Sequence, residues 1–225
     1  MNDAIKERSI LFSAPMVRAI LSNTKTQTRR VWKLPNWLTW DESAGGESKG
    51  NLIPKDPALN GWYSPDEVAC PYVQVDDRLW VRETFATLSN GDFLPVKPSS
   101  GLSQDVRYRA DDPLRDSSAN IRGYGWRPSI FMPRWASRIN LEITGVSVER
   151  LQDISDDDAK AEGIQPTPGR DIVDRWLIKN PKGSLSEYSS TQYPVDAYKS
   201  LWESINGPES WAANPWVWVI EFKKL

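Results

Sequence analysis

The chain has no histidine, one cysteine and no apolar run long enough to cross a bilayer, and each absence closes off a class of function. Without histidine a Ser-His-Asp triad is impossible, and the commonest general base and transition-metal ligand are both missing. With Cys70 alone, intrachain disulfides, zinc fingers and Cys-His nucleophile pairs fall away. Beside Pro71 and Tyr72, Cys70 reads as a buried or half-buried filler. Any catalysis must use Lys, Asp, Glu, Tyr, Ser or Thr, or a carboxylate-bound metal. Asp3, Lys6, Glu7 and Arg8 stand where a secretory signal needs uninterrupted apolar residues, so the expectation is a cytoplasmic protein with no membrane partner.

What is present fits a globular chain: 225 residues, 39% hydrophobic and 26% charged, are enough for one sizeable core carrying insertions. The net charge of −2 is not that of a general nucleic-acid binder, but its distribution is uneven. Residues 1–30 hold six basic side chains against two acidic ones. Residues 122–138 hold Arg122, Arg127, Arg134 and Arg138 with no acidic residue, interleaved with Tyr124, Trp126, Phe131 and Trp135. Guanidiniums alternating with flat rings suit bases and phosphates, and equally suit a core in which arginines cover aromatic rings. Trp135 reads as core, and the patch as a whole stays open between the two.

The most chemically dense stretch is Lys25-Thr26-Gln27-Thr28-Arg29-Arg30. Before it, Ser13 to Leu21 predicts a helix with Ser13 as cap, Pro15 in the first turn and Met16, Val17, Ile20 and Leu21 on one face. Asn23 is a stop, which leaves the Lys-Thr run in a turn or at the mouth of a strand. Lys25 and Thr28 would point to opposite faces of a strand, so their pairing requires a bend. By itself such a run reads as a solvated basic loop; its context carries the functional reading.

Along the chain, residues 9–13 predict a first strand and 79–85 another, with Trp80 and Arg82 on one side and Glu83 on the other. Residues 106–110 predict a strand ending at Asp111-Asp112-Pro113, and 139–151 a hairpin or a bulged long strand. Ser155 to Asp158 is a capping box opening a short helix stopped by Gly163. Glu162 falls at that helix's C-terminus, where the dipole disfavours its charge and makes it a candidate acid or base if buried. Residues 165–193 read as an insertion with one helix around Ile172, Val173, Trp176, Leu177 and Ile178. Pro194 to Ile205 predicts a helix whose apolar stripe is core, and 215–222 a closing strand buried on both faces.

In this order the Lys-Thr-x-Thr-Arg run, the "DRLWVRE" strand, the helix ending in Glu162 and the terminal "WVWVIEF" strand resemble the ASCH family of the PUA-like superfamily, in its tryptophan-rich bacteriophage and prophage form. The resemblance covers most of 9–165 and 194–225. It implies an α+β fold in one domain, a PUA-like small mixed β-barrel with flanking helices and loop insertions at 41–66, 89–105 and 165–193. It also implies a cleft lined by the Lys-Thr motif, in a protein of the bacterial or phage-infected host cytoplasm. Members similar at the motif are amidohydrolases that deacetylate N4-acetylcytidine, which would make Lys25, Thr28 and Glu162 the catalytic residues. Thr26, Arg29, Trp80, Arg82, Glu83 and Arg134 would line the substrate, with no metal or organic cofactor. The alternative it implies is a non-catalytic module holding RNA or a modified base in the same cleft. A third reading is a protein-interaction factor using tryptophan-rich loops.

Overall fold

The computed structural model describes residues 5–36, 38–40, 52–56, 68, 70–88, 104–167, 175–179 and 188–225. In chain order the elements are β1 (Glu7–Leu11), α1 (Ala14–Leu21), β2 (Gln27–Val31), β3 (Leu38–Trp40), β4 (Leu52–Pro54), β5 (Arg78–Arg82), β6 (Phe85–Leu88), β7 (Asp105–Tyr108), α2 (Ala119–Arg122), β8 (Asn140–Arg150), α3 (Asp156–Ala161), β9 (Pro166–Thr167), β10 (Arg175–Lys179), β11 (Tyr188–Thr191), α4 (Pro194–Asn206) and β12 (Trp216–Lys224). The main sheet has the order β1-β5-β8-β12-β2, with β1 and β5 parallel and the other pairings antiparallel. It is a mixed α and β fold with a mostly antiparallel main sheet, and among the described residues no ladder joins the edge strands β1 and β2, so the expected small barrel does not appear as a closed sheet.

The edges nevertheless approach one another. The Arg30 guanidinium of β2 donates to the Leu11 carbonyl of β1 at 3.3 Å, which only a strongly curled sheet permits. Curling puts a core inside and another outside. Phe12, Val17 and Ile20 pack with Leu141, Ile143, Trp218, Ile220 and Phe222 in one cluster, while Val217 meets Leu151, Ile154, Ala159, Tyr198 and Trp202 in the other. Strand β12 thus supplies apolar side chains to both faces, as its near-continuous hydrophobic run predicts. A third cluster, Phe85, Met132 and Ala136, sits with β6 and β7.

Several expectations hold at element level. Helix α1 has Ser13 at its N-cap position, though the Ser13 side chain makes no capping bond, and Pro15 in its first turn, and Asn23 just beyond its end adopts φ +58°. The Ser155–Asp158 capping box forms, both bonds included. Of the two readings for 139–151, the bulged strand is the one adopted: β8 runs unbroken, with a register shift against β12 between Glu221 and Phe222.

Other boundaries move. The strand expected to reach Phe85 stops at Arg82, because Phe85 pairs with Tyr108 in a separate hairpin. The helix expected within 165–193 is instead strand β10, which pairs with β9 and β11 across Arg175–Lys179. That run offers too few residues for an independent helix, and a strand obtains its partners from both sides. Ile172 and Val173 lie outside the described residues, as do most of the expected insertions at 41–66 and 89–105.

Gly163, just past the end of α3 at φ +92°, sits close against the end of α1 and the Lys25 turn: an added Cβ would stand 2.9 Å from Ala19 Cβ and 3.0 Å from Lys25 Cβ. Gly163→Ala therefore meets both a left-handed backbone and a steric contact, and is expected to lower stability by about 2–4 kcal/mol. Urea unfolding measures this; an unchanged midpoint would show that the contact yields freely.

Candidate functional site

The Lys-Thr run is placed by local backbone geometry. After α1 the chain turns back on itself, with the amides of Thr24 and Lys25 both donating to the Ala19 carbonyl at 2.8 and 3.0 Å. The Thr26 amide then donates to Ala161 O at 2.8 Å, and Lys25 and Glu162 form an isolated antiparallel bridge. The C-terminus of α3 is thereby stitched to the entrance of β2, although 137 residues separate the two.

This stitching buries an ion-pair network. The Lys25 side chain is 0% exposed, and its ammonium donates to Gln27 O, Glu162 O and Glu162 Oε2, each at 2.8 Å. An ammonium has three donors, so all are satisfied. Arg29 is equally enclosed: Nη1 donates to Glu162 Oε1 at 3.2 Å, Nε to Glu149 Oε1 at 2.7 Å, and Nη2 lies 3.6 Å from Asp158 Oδ2. Gln27 Nε2 donates to the Asp158 backbone and side chain at 3.0 and 3.1 Å. Burial pushes the Lys25 amine down from its ordinary value, opposed by the Glu162 carboxylate and reinforced by Arg30 and Arg29. For Arg29 burial acts downward too, but Glu162 and Glu149 outweigh it and the net shift is upward. Burial, with Glu162 nearby, raises the Tyr198 hydroxyl well above its ordinary range.

Thr28 joins this group only in part. It is buried inside β2, opposite Ile220, and among the described residues none of the Lys25 donors reaches its hydroxyl. Thr28 does line a cavity of about 60 Å³ between α1, β2 and α4, together with Arg29, Glu162 and Tyr198. Trp202 lines it as well, and its buried indole N–H has no partner among the described residues. The apolar stripe of α4, expected to be core alone, therefore also walls this cavity. A volume of 60 Å³ is room for about two waters.

The remaining predicted residues disperse. Thr26 is exposed and acts through its backbone, its carbonyl accepting from the Phe222 amide at 2.8 Å. Glu83, 2% exposed, is held by Arg138 through Nε at 2.9 Å and Nη2 at 3.1 Å, and Arg138 also grips Asp111. Trp80 is half-buried between two guanidiniums, with Arg82 at 5.4 Å and Arg134 at 5.8 Å from its ring. Arg134 also reaches Asn140 Oδ1 at 2.8 Å and Glu7 at 3.4 Å. Of the aromatic patch, Trp135 packs on the third cluster while Phe131 stays exposed.

A larger feature emerges where the curled sheet fails to close. An open cleft of about 780 Å³ is lined by Arg8, Leu11, Arg30, Tyr72, Arg82 and Ile220, among others. Leu11 is its hub: it pairs with Arg82 in the β1–β5 register, and its carbonyl receives Arg30. The three arginines donate to carbonyl oxygens: Arg8 to Pro71 at 2.6 Å, Arg30 to Leu11, and Arg82 Nε to Met132 at 3.2 Å. Among the described residues none of the three is salt-bridged to a carboxylate, and Glu162 acts on Arg30 only at longer range. Sequence reasoning named Arg82 but missed Arg8, Arg30 and Tyr72 as a group. The excess of basic residues in 1–30 was the available signal.

Among the described residues no group of three or more Cys, Asp or Glu side chains is arranged to hold a metal ion, and no helix is long and apolar enough to cross a membrane.

The buried network makes a stability test possible. Glu162→Ala leaves Lys25 buried without a carboxylate, while Arg29 keeps Glu149, and is expected to cost about 3–5 kcal/mol in urea unfolding. Adding Lys25→Met should recover part of that loss; strictly additive costs would mean the two side chains are not coupled. Comparison with known proteins leaves the site to its own residues: no family model, no curated protein and no solved structure matches the chain.

Proposed function

We propose that the chain binds a nucleotide or nucleic acid in the cleft between β1 and β2. One observation carries this: Arg8, Arg30 and Arg82 line an open cleft, beside the exposed ring of Tyr72, and among the described residues none of them is salt-bridged to a carboxylate, Glu162 acting on Arg30 only at longer range. Convergent unpaired guanidiniums attract phosphate, and an accessible phenol ring offers a surface on which a base stacks. The volume of about 780 Å³ falls in the range of about 300–1,000 Å³ that small-molecule sites occupy. Arg30 belongs to the Lys-Thr run, so this reading agrees with the RNA- or modified-base-binding alternative that the ASCH resemblance implies. In it the Lys25–Glu162–Arg29 network is the rigid mount from which Arg30 projects.

Amidohydrolysis of an N-acylated nucleobase is a second reading, favoured by the direct contact of Lys25 with Glu162 beside Thr28. In that reaction the Thr28 oxygen attacks the acyl carbon and its proton passes to a neutral Lys25. The C–N bond then breaks as the leaving nitrogen takes that proton, and water hydrolyses the ester to free Thr28 and the acid. Burial favours the neutral amine, as this step needs. Against it, Lys25 must first release one of three good acceptors, and the adjoining cavity of about 60 Å³ does not hold a base. The binding reading is therefore the stronger.

Two experiments test these readings. In fluorescence anisotropy with a single-stranded 12-mer at low salt, Arg8→Ala, Arg30→Ala and Arg82→Ala should each weaken binding. Each should also lower the slope of log K against log salt by about 0.7–1. Wild type that does not bind at low salt rejects the cleft. Incubation with N4-acetylcytidine should release no cytidine; release that disappears in Lys25→Ala and Thr28→Ala would instead establish the hydrolase.

A further inference from the structure

The geometry points to a single-stranded polymer as the ligand of the cleft, one whose path leaves past Arg82 and stacks a base on Phe131. This rests on the nucleotide-binding reading and extends it beyond the cleft itself.

Phe131 is 59% exposed and its neighbour Ile130 is 55% exposed, two adjacent apolar side chains left in water. They do not belong to a loose loop. Residues Ser129–Phe131 form one 3-10 turn, closed by Phe131 N donating to Pro128 O at 3.0 Å. The next residue, Met132, is 0% exposed and anchors the turn in the third apolar cluster. The turn is therefore fastened from beneath while its aromatic ring is held outward, an arrangement that lowers the entropic cost of stacking.

The link to the cleft is Arg82. Its side chain lines the cleft, and the same guanidinium brackets Phe131, with Nε donating to Met132 O at 3.2 Å and Nη2 donating to Ile130 O. Beyond Arg82 stands Arg134, which shares the Trp80 ring with Arg82 and meets the exposed Glu7 carboxylate at 3.4 Å. Residues 122–138 contain no acidic side chain. A mononucleotide in the cleft would not need this rim. A strand would: phosphates spaced along Arg30, Arg82 and Arg134, with one base turned onto an exposed ring, match the chemistry of single-strand recognition. A protein partner would also cover exposed apolar residues, but it would not account for Arg8, Arg30 and Arg82, which have no salt-bridged carboxylate among the described residues, leading up to them.

The test compares a labelled 12-residue oligouridylate with uridine monophosphate on the full chain, using wild type, Phe131→Ala, Phe131→Trp and Arg30→Ala. Phe131→Ala should weaken the oligomer about ten-fold or more and leave the monophosphate unchanged. Phe131→Trp should restore oligomer binding, and Arg30→Ala should weaken both ligands. Phe131 is exposed, so its replacement leaves the fold intact, which the thermal midpoint verifies. If Phe131→Ala binds the oligomer as wild type does while Arg30→Ala weakens it, the strand path is wrong and the cleft reading survives. If wild type binds neither ligand, the cleft reading fails and the path fails with it.

Discussion

The structure depends on one buried contact, the salt bridge of 2.8 Å between Lys25 and Glu162. Two charges withdrawn from water are tolerable only when every donor and acceptor is matched, and here the ammonium has three oxygens while the carboxylate has Lys25 and Arg29. That requirement dictates much around it. The chain must reverse tightly after α1, Gly163 must be a glycine to let α3 close on Lys25, and Ser155 must start α3 where its last turn reaches β2. The contact joins residues far apart in the chain and so locks the edge strand β2 against α3. From that mount Arg30 reaches across to β1.

Two populations of arginine result, and they differ in what satisfies them. Arg29 and Arg138 are enclosed by carboxylates. They act within the protein, and their charge is spent on Glu162, Glu149, Glu83 and Asp111. Arg8, Arg30 and Arg82 donate to carbonyl oxygens, with Arg30 also over the Phe12 ring and Arg82 over Trp80, and among the described residues none is salt-bridged to a carboxylate. A carbonyl orients a guanidinium without cancelling its charge, so these three remain available to an anion. The distinction explains how a chain of net charge −2 can line one cleft with three guanidiniums. Curling of the sheet supplies the rest, since only curling brings its first and last strands to opposite walls of one opening.

Local features of this protein are readable from the residues alone. The helix after Ser13, the capping box at Ser155, the stop at Gly163 and the doubly buried closing strand all follow from short-range chemistry: capping geometry, glycine's tolerance of positive φ and hydrophobic period. Glu162 could be singled out too, because its place at a helix terminus is a local property. Failures occurred where a segment's state depends on a partner. Arg175–Lys179 is a strand because β11 and β9 flank it, and Phe85 belongs to a different sheet from Arg82 because Tyr108 claims it.

The sequence by itself determined the chemistry on hand: no histidine, one cysteine, an amine and two guanidiniums in one run, and helices and strands with legible ends. Tertiary structure alone decided which of those groups are sealed and which are open. Lys25 is closed over because the end of α3, from a distant part of the chain, brings two oxygens of Glu162 to it, and Gln27 O of β2 supplies the third acceptor. Arg8, Arg30 and Arg82 form one site because parallel pairing sets Leu11 beside Arg82 and curling sets Leu11 beside Arg30. Strand register and sheet curvature arise from contacts summed over the whole fold, and no local run of residues encodes them.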